Sequence, residues 1–393
     1  MAPVSARSAA SAPLARRAWH ACAVLTLAAA GLAVDAAPAP DPPGLSADER
    51  RQLAELGPWP PSPRVDPSNR VSGQPLAITL GRQLFRDPRM SPVGYIGCVT
   101  CHQPDRAFTD RKARAHGLAD LPRNTPALFN LGQQRWFGWA GASDSLWMAS
   151  VRPILDPREL GGNPRLVVQL FEREPELAAC YRQVFQAAPG AAPQRTVVNV
   201  GKAIAAYVET LVSGRTPFDD YRDAVQRGDR EGERNYPAAA LRGMKLFVGR
   251  AGCVACHNGP NFSDGDFHPG AASVGDGGRL DDLHKLRSSP LKLSGQHDDS
   301  PRRAARGRTA ADAGVDLQHR YRTPSLRNVA TSGPYLHDGR AEQLAQAVMH
   351  AAPASGGALA ATEVEDLAAF LETLTDRHGE RRPWVADEIA RCP

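Results

Sequence analysis

Apolar residues fall into short runs at helical spacing, separated by stretches dense in proline, glycine, aspartate and arginine. Residues 21–34 form an almost purely apolar run, the length of a signal-peptide core and too short for a membrane span of about 20 residues. Residues 37–74 are Pro-, Asp- and Ser-rich, with one short helical piece near 47–56, and read as an extended leader packed on the first domain. Asn163-Pro164 and Glu174-Pro175 open two helices, because proline at the first helical position forfeits an N–H that has no partner there. Residues 197–211 are apolar at helical spacing and end at Ser213-Gly214. Ala352-Pro353 reads as the end of another helix. Thr362 with Glu365 reads as a capping box for a helix whose Val364, Leu367, Ala368 and Leu371 share an apolar face. Residues 265 to about 320 have almost no hydrophobic periodicity and read as a surface loop, long enough to be functional or disordered. Its His268, His284, His297 and His319 read as solvated or locally hydrogen-bonded.

The pattern also repeats. Gly81-Arg82-Gln83-Leu84-Phe85 precedes Cys98-Val99-Thr100-Cys101-His102, and Gly243-Met244-Lys245-Leu246-Phe247 precedes Cys253-Val254-Ala255-Cys256-His257. Ala107-Phe108-Thr109-Asp110 is echoed by Asn261-Phe262-Ser263-Asp264, and Thr125-Pro126-Ala127-Leu128-Phe129-Asn130 by Thr323-Pro324-Ser325-Leu326-Arg327-Asn328. In a C-x-x-C-H the two thiols add to the vinyl groups of a haem and the adjacent imidazole becomes an axial ligand. A zinc site would want two further thiolates, and a thioredoxin-type pair needs no following His. The expected fold is therefore mainly α and loop-rich, with two cytochrome c-like haem domains related by internal duplication. Residues 75–215 make the first with its linking helices, residues 237–378 the second, and 379–393 a tail.

Charge and cysteine usage narrow the class. The formal net charge is +5, and removal of Arg7, Arg16, Arg17 and Asp35 with the leader peptide brings it to about +3. That bias is too weak to argue for nucleic acid. Val34-Asp35-Ala36 is a small-x-small cleavage site, so residues 1–36 are expected to be removed on export. The flanks of Arg16-Arg17 do not support twin-arginine export. Cys22 leaves with the leader and four cysteines bind haem; Cys180 and Cys392 are left either to pair or to stay separate.

The duplicated C-x-x-C-H, Ala107-Phe108-Thr109-Asp110, and Ser325-Leu326-Arg327-Asn328 ahead of Pro334-Tyr335-Leu336-His337-Asp338-Gly339 resemble the bacterial dihaem cytochrome c peroxidase superfamily, which includes MauG. The resemblance covers about residues 75 to 378. It implies His102 and His257 as proximal ligands and His116 as a distal ligand that caps the first haem at rest, or else as a plain loop residue. Trp139 stands where the family places a tryptophan between the haems, as electron relay and interface filler; the usual following Asp is Ala140. Trp136 and Trp147 read as packing. Glu159 matches the distal carboxylate that moves the proton during peroxide cleavage, against the alternative of a solvated loop carboxylate; the usual glutamine partner is Ala149. Asn124, with main-chain oxygens of Ser332 and Pro334, matches a calcium site between the units. At the second haem Ala351 replaces the usual axial Met or Tyr, leaving Met349, His350, or an open position as alternatives.

The resemblance implies a periplasmic peroxidase with two covalent c-type haems and calcium, reducing hydrogen peroxide with electrons from a small cytochrome or cupredoxin. The alternatives are a MauG-like enzyme that oxidises residues of a partner protein and a plain dihaem electron carrier. A homodimer is compatible with any of these, and neither nucleic acid nor a membrane span is expected.

Overall fold

In chain order the helices are α1 (Ala47–Glu55), α2 (Pro75–Arg86), α3 (Cys98–Cys101), α4 (Leu146–Leu155), α5 (Pro164–Arg173), α6 (Pro175–Phe185), α7 (Pro193–Glu209), α8 (Pro217–Arg227), α9 (Arg230–Arg234), α10 (Ala238–Val248), α11 (Arg279–Ser288), α12 (Leu344–Ser355) and α13 (Ala361–Glu372). Two short strands, β1 (Phe267–Pro269) and β2 (Arg320–Arg322), pair antiparallel on either side of α11. This computed structural model describes residues 44–270, 273, 275–293, 295–300, 315–355 and 358–376. The expected leader peptide, its cleavage site, Cys22, Cys392 and the tail at 379–393 lie outside the described residues. Among the described residues no helix is long and apolar enough to cross a membrane.

Proline starts five of these helices, α2, α5, α6, α7 and α8. The two openings read at Asn163-Pro164 and Glu174-Pro175 are among them, and Asn163 caps α5 by accepting from the Leu166 N–H. Two hydrophobic cores result. In the first, α7 is buried along nearly its whole length and packs against α2, α4 and α5. In the second, α10 and α13 lie against each other, with α8 alongside in the same core. The closest crossings rest on glycine: a Cβ on Gly81 would sit 1.9 Å from the Ala203 oxygen, and one on Gly243 1.9 Å from the Asp366 oxygen.

Four expectations change. The leader does not pack on the first core alone. Leu53 and Leu56, on and just after α1, fill the second core beside Phe218 and Tyr221 of α8, and only the following segment returns to the first. There Asn69 donates to the Lys202 oxygen at 3.0 Å and Val71 joins the apolar cluster.

The stretch 265–320 is also more than a surface loop. Phe267, Leu283, Leu286 and Leu293 enter the first core, and α11 buries Arg279 and Asp282 as well. Arg123 bonds Asp276 at 2.5 and 2.7 Å and Asp282 at 2.7 Å, so ionic contacts as well as apolar ones hold this segment. Charged residues at buried positions erase the apolar period from which a helix would have been read. Of its histidines, His268 bonds Asp264 at 2.7 Å and His284 is exposed. His319 instead keeps a buried Nδ1 without a partner.

The last two corrections concern helix ends. Ala360 is the N-cap of α13, and Glu363 accepts its N–H at 3.0 Å; the helix starts earlier than the Thr362–Glu365 pairing requires. α12 continues through Ala352-Pro353 to Ser355. The carbonyl that loses its helical partner to Pro353 belongs to Met349, which is exposed, so water can satisfy it.

Candidate haem sites and the residues between them

Each C-x-x-C-H occupies a single tight turn, with Cys98–Cys101 forming α3 and Cys253–Ala255 a 3-10 turn. Beyond each motif the chain folds back through left-handed residues, Ala107 and Phe108 at φ 55° and 57° in one case and Phe262 at φ 51° in the other. The reversal aims a carbonyl at the histidine. His102 Nδ1 lies 3.0 Å from the Phe108 oxygen, and His257 Nδ1 3.0 Å from the Phe262 oxygen. Burial pushes both imidazoles below their ordinary range toward the neutral form. With the Nδ1 proton donated to a carbonyl, Nε2 is left with the lone pair that an axial ligand needs.

The donor set fits a covalent haem. All four motif cysteines are free, and burial pushes Cys98 up to about 12 and Cys101 and Cys253 up to about 11. Each turn offers two free thiols for the two vinyl groups of a haem, whereas a zinc site would want two further thiolates. Cys256, Asp264 and His268 converge with ligand atoms within 4.8 Å of one another, but Cys256 belongs to the second motif. Arg322 adds a feature missed from the sequence. It is buried, its Nε has no partner, and desolvation lowers it to about 10. A buried guanidinium with an idle donor wants an anion, and a haem carboxylate is one. The signal was its place directly before Thr323-Pro324.

Glu159 lies close enough to the first motif for its charge to act on both Cys98 and Cys101. Its own carboxyl is pushed up to about 7, mainly by burial and then by Asp156, against the opposing pull of Arg152 and Arg158. A carboxyl poised there exchanges a proton near neutrality. The loop carrying His116 is laid on this segment: Leu118 N donates to the Glu159 oxygen at 3.0 Å and Ala119 N to the Arg158 oxygen at 2.9 Å. Gly117 is required by that contact, since a Cβ would fall 2.7 Å from both carbonyl oxygens. His116 itself is exposed, its Nδ1 held 2.7 Å from Asp120.

Trp139 touches both halves of the chain. Its Nε1–H donates to the Asn124 oxygen at 2.8 Å, and its own carbonyl accepts from the Arg322 N–H at 2.7 Å. Asn124 N donates to the His337 oxygen at 2.8 Å, three residues beyond Pro334, and Asn124 Nδ2 donates to the Lys112 oxygen at 2.7 Å. Ser332 Oγ donates to the Val329 oxygen at 3.0 Å. On α12, Met349 is 55% exposed and with His350, Arg340 and Gln346 lines an open cleft. Ala149 is half-buried on α4, and Cys180 is buried on α6 and disulfide-bonded.

The family model for di-haem cytochrome c peroxidase matches residues 75–227. Methylamine utilization protein MauG of Methylorubrum extorquens is 33% identical over 80% of this chain and 81% of its own. Cytochrome c551 peroxidase of Pseudomonas aeruginosa is 31% identical over 78% of this chain and 82% of its own. The crystal structure of a MauG-like protein associated with microbial copper homeostasis superposes with a TM-score of 0.61 at 26% identity, covering 86% of this chain and 98% of that one. Family membership implies two c-type haems, and the chain contains two C-x-x-C-H turns. The chain belongs to the dihaem cytochrome c peroxidase and MauG superfamily.

Proposed function

We propose that the protein is a periplasmic dihaem peroxidase that reduces hydrogen peroxide to water with electrons from a small cytochrome or cupredoxin. The observation that carries this reading is Glu159, a carboxyl lifted to about 7 beside the first haem-attachment turn. The haems, when bound, supply the electrons that cleave the O–O bond. Glu159 takes the proton from the peroxide oxygen nearer the first haem and hands it to the departing one. Trp139, bonded to Asn124 on one side and Arg322 on the other, relays electrons between the halves. Its indole keeps its N–H on a carbonyl throughout. His116 would hold the first haem at rest and move away on activation, and Met349 would hold the second, with His350 or an open position as the alternatives. Asn124, through its side-chain oxygen, and the carbonyls of Ser332 and Pro334 hold calcium between two haem units descended from one ancestor. A homodimer is compatible with this arrangement.

One observation favours the MauG-like alternative, in which residues of a partner protein are oxidised: the chain is 33% identical to MauG of Methylorubrum extorquens over 80% of its length. Electron paramagnetic resonance of the fully oxidised protein, followed by peroxide addition, separates the readings. A peroxidase capped by His116 has two low-spin haems and consumes peroxide only after partial reduction. A high-spin signal with immediate reaction supports the MauG-like enzyme. Two low-spin haems inert to peroxide in every redox state leave only an electron carrier and overturn the proposal.

A further inference from the structure

Four tryptophans lie among the described residues, and three of them carry a cation against the ring. Arg327 Cζ is 3.7 Å from the Trp59 ring, Arg279 Cζ 4.7 Å from the Trp136 ring, and Lys202 Nζ 5.3 Å from the Trp147 ring. All three cations are buried. Among the described residues no cation sits over Trp139.

Hydrogen bonding does not distinguish Trp139 from its relatives. Trp59 Nε1 donates to the Ser213 oxygen at 2.9 Å, Trp147 Nε1 to Ser68 Oγ at 3.1 Å, and Trp139 Nε1 to the Asn124 oxygen at 2.8 Å, all neutral acceptors. The charge over the ring does. A cation is attracted to the face of a neutral indole. Once the indole has lost an electron the same contact becomes a repulsion between two positive charges in a weakly screening interior, which makes that ring harder to oxidise. Asp219 pairs with Arg327 and Asp299 with Lys202, which tempers the effect, but the positive member of each pair is the one against the ring.

We propose that these buried cations confine oxidising equivalents to Trp139, and that Arg279 keeps Trp136, three residues away, from being oxidised in its place. The proposal rests on the reading of Trp139 as the relay. Arg279 also donates to the carbonyls of Ala140 at 3.3 Å and Gly141 at 3.1 Å, so the same guanidinium holds the loop that carries Trp139. It comes from α11, which gives the 265–320 stretch a role in the chemistry. In each passage Trp139 releases one electron toward the first haem and regains one from the second. Two passages supply the two electrons that hydrogen peroxide takes up with two protons to form two waters. Without an electron donor the oxidised ring is not refilled. The ring is then hydroxylated, giving up two electrons overall to one peroxide and gaining one oxygen, with one water released.

The test is to treat the dihaem protein with hydrogen peroxide in the absence of donor and map tryptophan hydroxylation by peptide mass spectrometry. In the wild type Trp139 should carry at least about ten-fold more hydroxylation than Trp136 or Trp147. In Arg279→Gln, hydroxylation of Trp136 should rise at least about five-fold, while Arg279→Lys, which keeps the charge, should keep Trp136 protected. Equal hydroxylation of Trp136 and Trp139 in the wild type overturns the proposal, as does one shared pattern in the Gln and Lys variants. If Arg279→Gln fails to load both haems, Lys202→Met with Trp147 as the readout gives the same decision. Trp139→Phe tests the underlying reading separately, through the rate at which the first haem is reduced after rapid reduction of the second. An unchanged rate there sinks the relay, whereas a slowed rate with an unchanged Arg279→Gln pattern sinks only the guarding role.

Discussion

Around His102 and around His257 the chain uses one device, a cysteine turn followed by a left-handed reversal that puts a phenylalanine carbonyl 3.0 Å from Nδ1. The correspondence extends to the frame, with Asn130 N on the Leu211 oxygen at 2.8 Å and Asn328 N on the Leu374 oxygen at 3.0 Å. Each turn has its corresponding aspartate beside it, Asp110 or Asp264, and what differs is that the first cradle has Glu159 in addition. Glu159 has burial as its main influence and is lifted to about 7. Asp264 is instead bonded to His268, whose imidazole it raises above the ordinary value. One cradle thus has a proton to exchange near neutrality, and the other has its carboxylate committed to an imidazole. Equal anchoring with unequal acid–base equipment is what a division of labour between two haems requires.

Removing an anchor should have the largest effect and should respect the equality of the cradles. Replacing both Cys253 and Cys256 by Ser deletes both thioethers of the second site, so mass spectrometry of the purified protein should find one covalent haem in place of two, with the double replacement of Cys98 and Cys101 giving the mirror result. Two haems in either variant would break the assignment.

Glu159→Gln addresses the inequality. It keeps shape but cannot shuttle a proton, and a positioned acid–base group is worth about 10²–10⁴-fold, or roughly 3–5 kcal/mol of barrier at about 1.4 kcal/mol per decade. The reaction of peroxide with the activated first haem should slow by that factor while both haems stay attached. The wild-type rate should also change with an apparent pKa near 7 that the variant lacks. A variant within threefold of the wild type would remove Glu159 from the mechanism. Asp264→Asn, applied to the other cradle, should leave that step unchanged.

The cradles were legible in the sequence because their determinants are local: C-x-x-C-H, the Phe five or six residues on, and the Thr-Pro pair. Other features depend on partners distant in the chain. The Leu53 and Leu56 side chains of the leader find their pocket against residues 218 and 221. α11 was invisible because Arg279 and Asp282 occupy buried positions that distant residues, among them Arg123, Trp136, Phe267 and the carbonyls of Ala140 and Gly141, make tolerable. Arg322 reads as one more basic residue until its burial is known.

A third pair of substitutions tests whether the two cores are held by the same contact. Gly81→Ala and Gly243→Ala each drive a methyl into a backbone oxygen of the facing helix, α7 or α13. Overpacking of this kind costs about 1–3 kcal/mol, more than the roughly 1 kcal/mol that alanine gains over glycine in a helix. Denaturant titration should show losses of similar size. A neutral variant would mean that its helix pair can slide apart.

The smallest expected effect lies at the ends of α7 and α13. Glu209 stands two residues before Leu211 and Glu372 two before Leu374, the leucines whose carbonyls accept from Asn130 and Asn328. Glu372 is exposed, but Glu209 is largely buried, accepts a bond from Ser72 at 2.6 Å, and is pushed up to about 7 by burial and, secondarily, Asp66. A carboxyl whose folded pKa lies above its unfolded value leaves the unfolded chain binding fewer protons as pH rises. Stability is therefore lost between about pH 4.5 and pH 7. At roughly 1.4 kcal/mol per unit, discounted for partial exposure, the loss is about 1–2 kcal/mol. Glu209→Gln cannot ionise, so its stability relative to wild type should rise by that amount between pH 4 and pH 8. Urea titrations of the two proteins at both pH values decide it. A pH-independent difference for Glu209→Gln would mean that the carboxyl is already ionised in the folded protein, with water reaching it past Ser72.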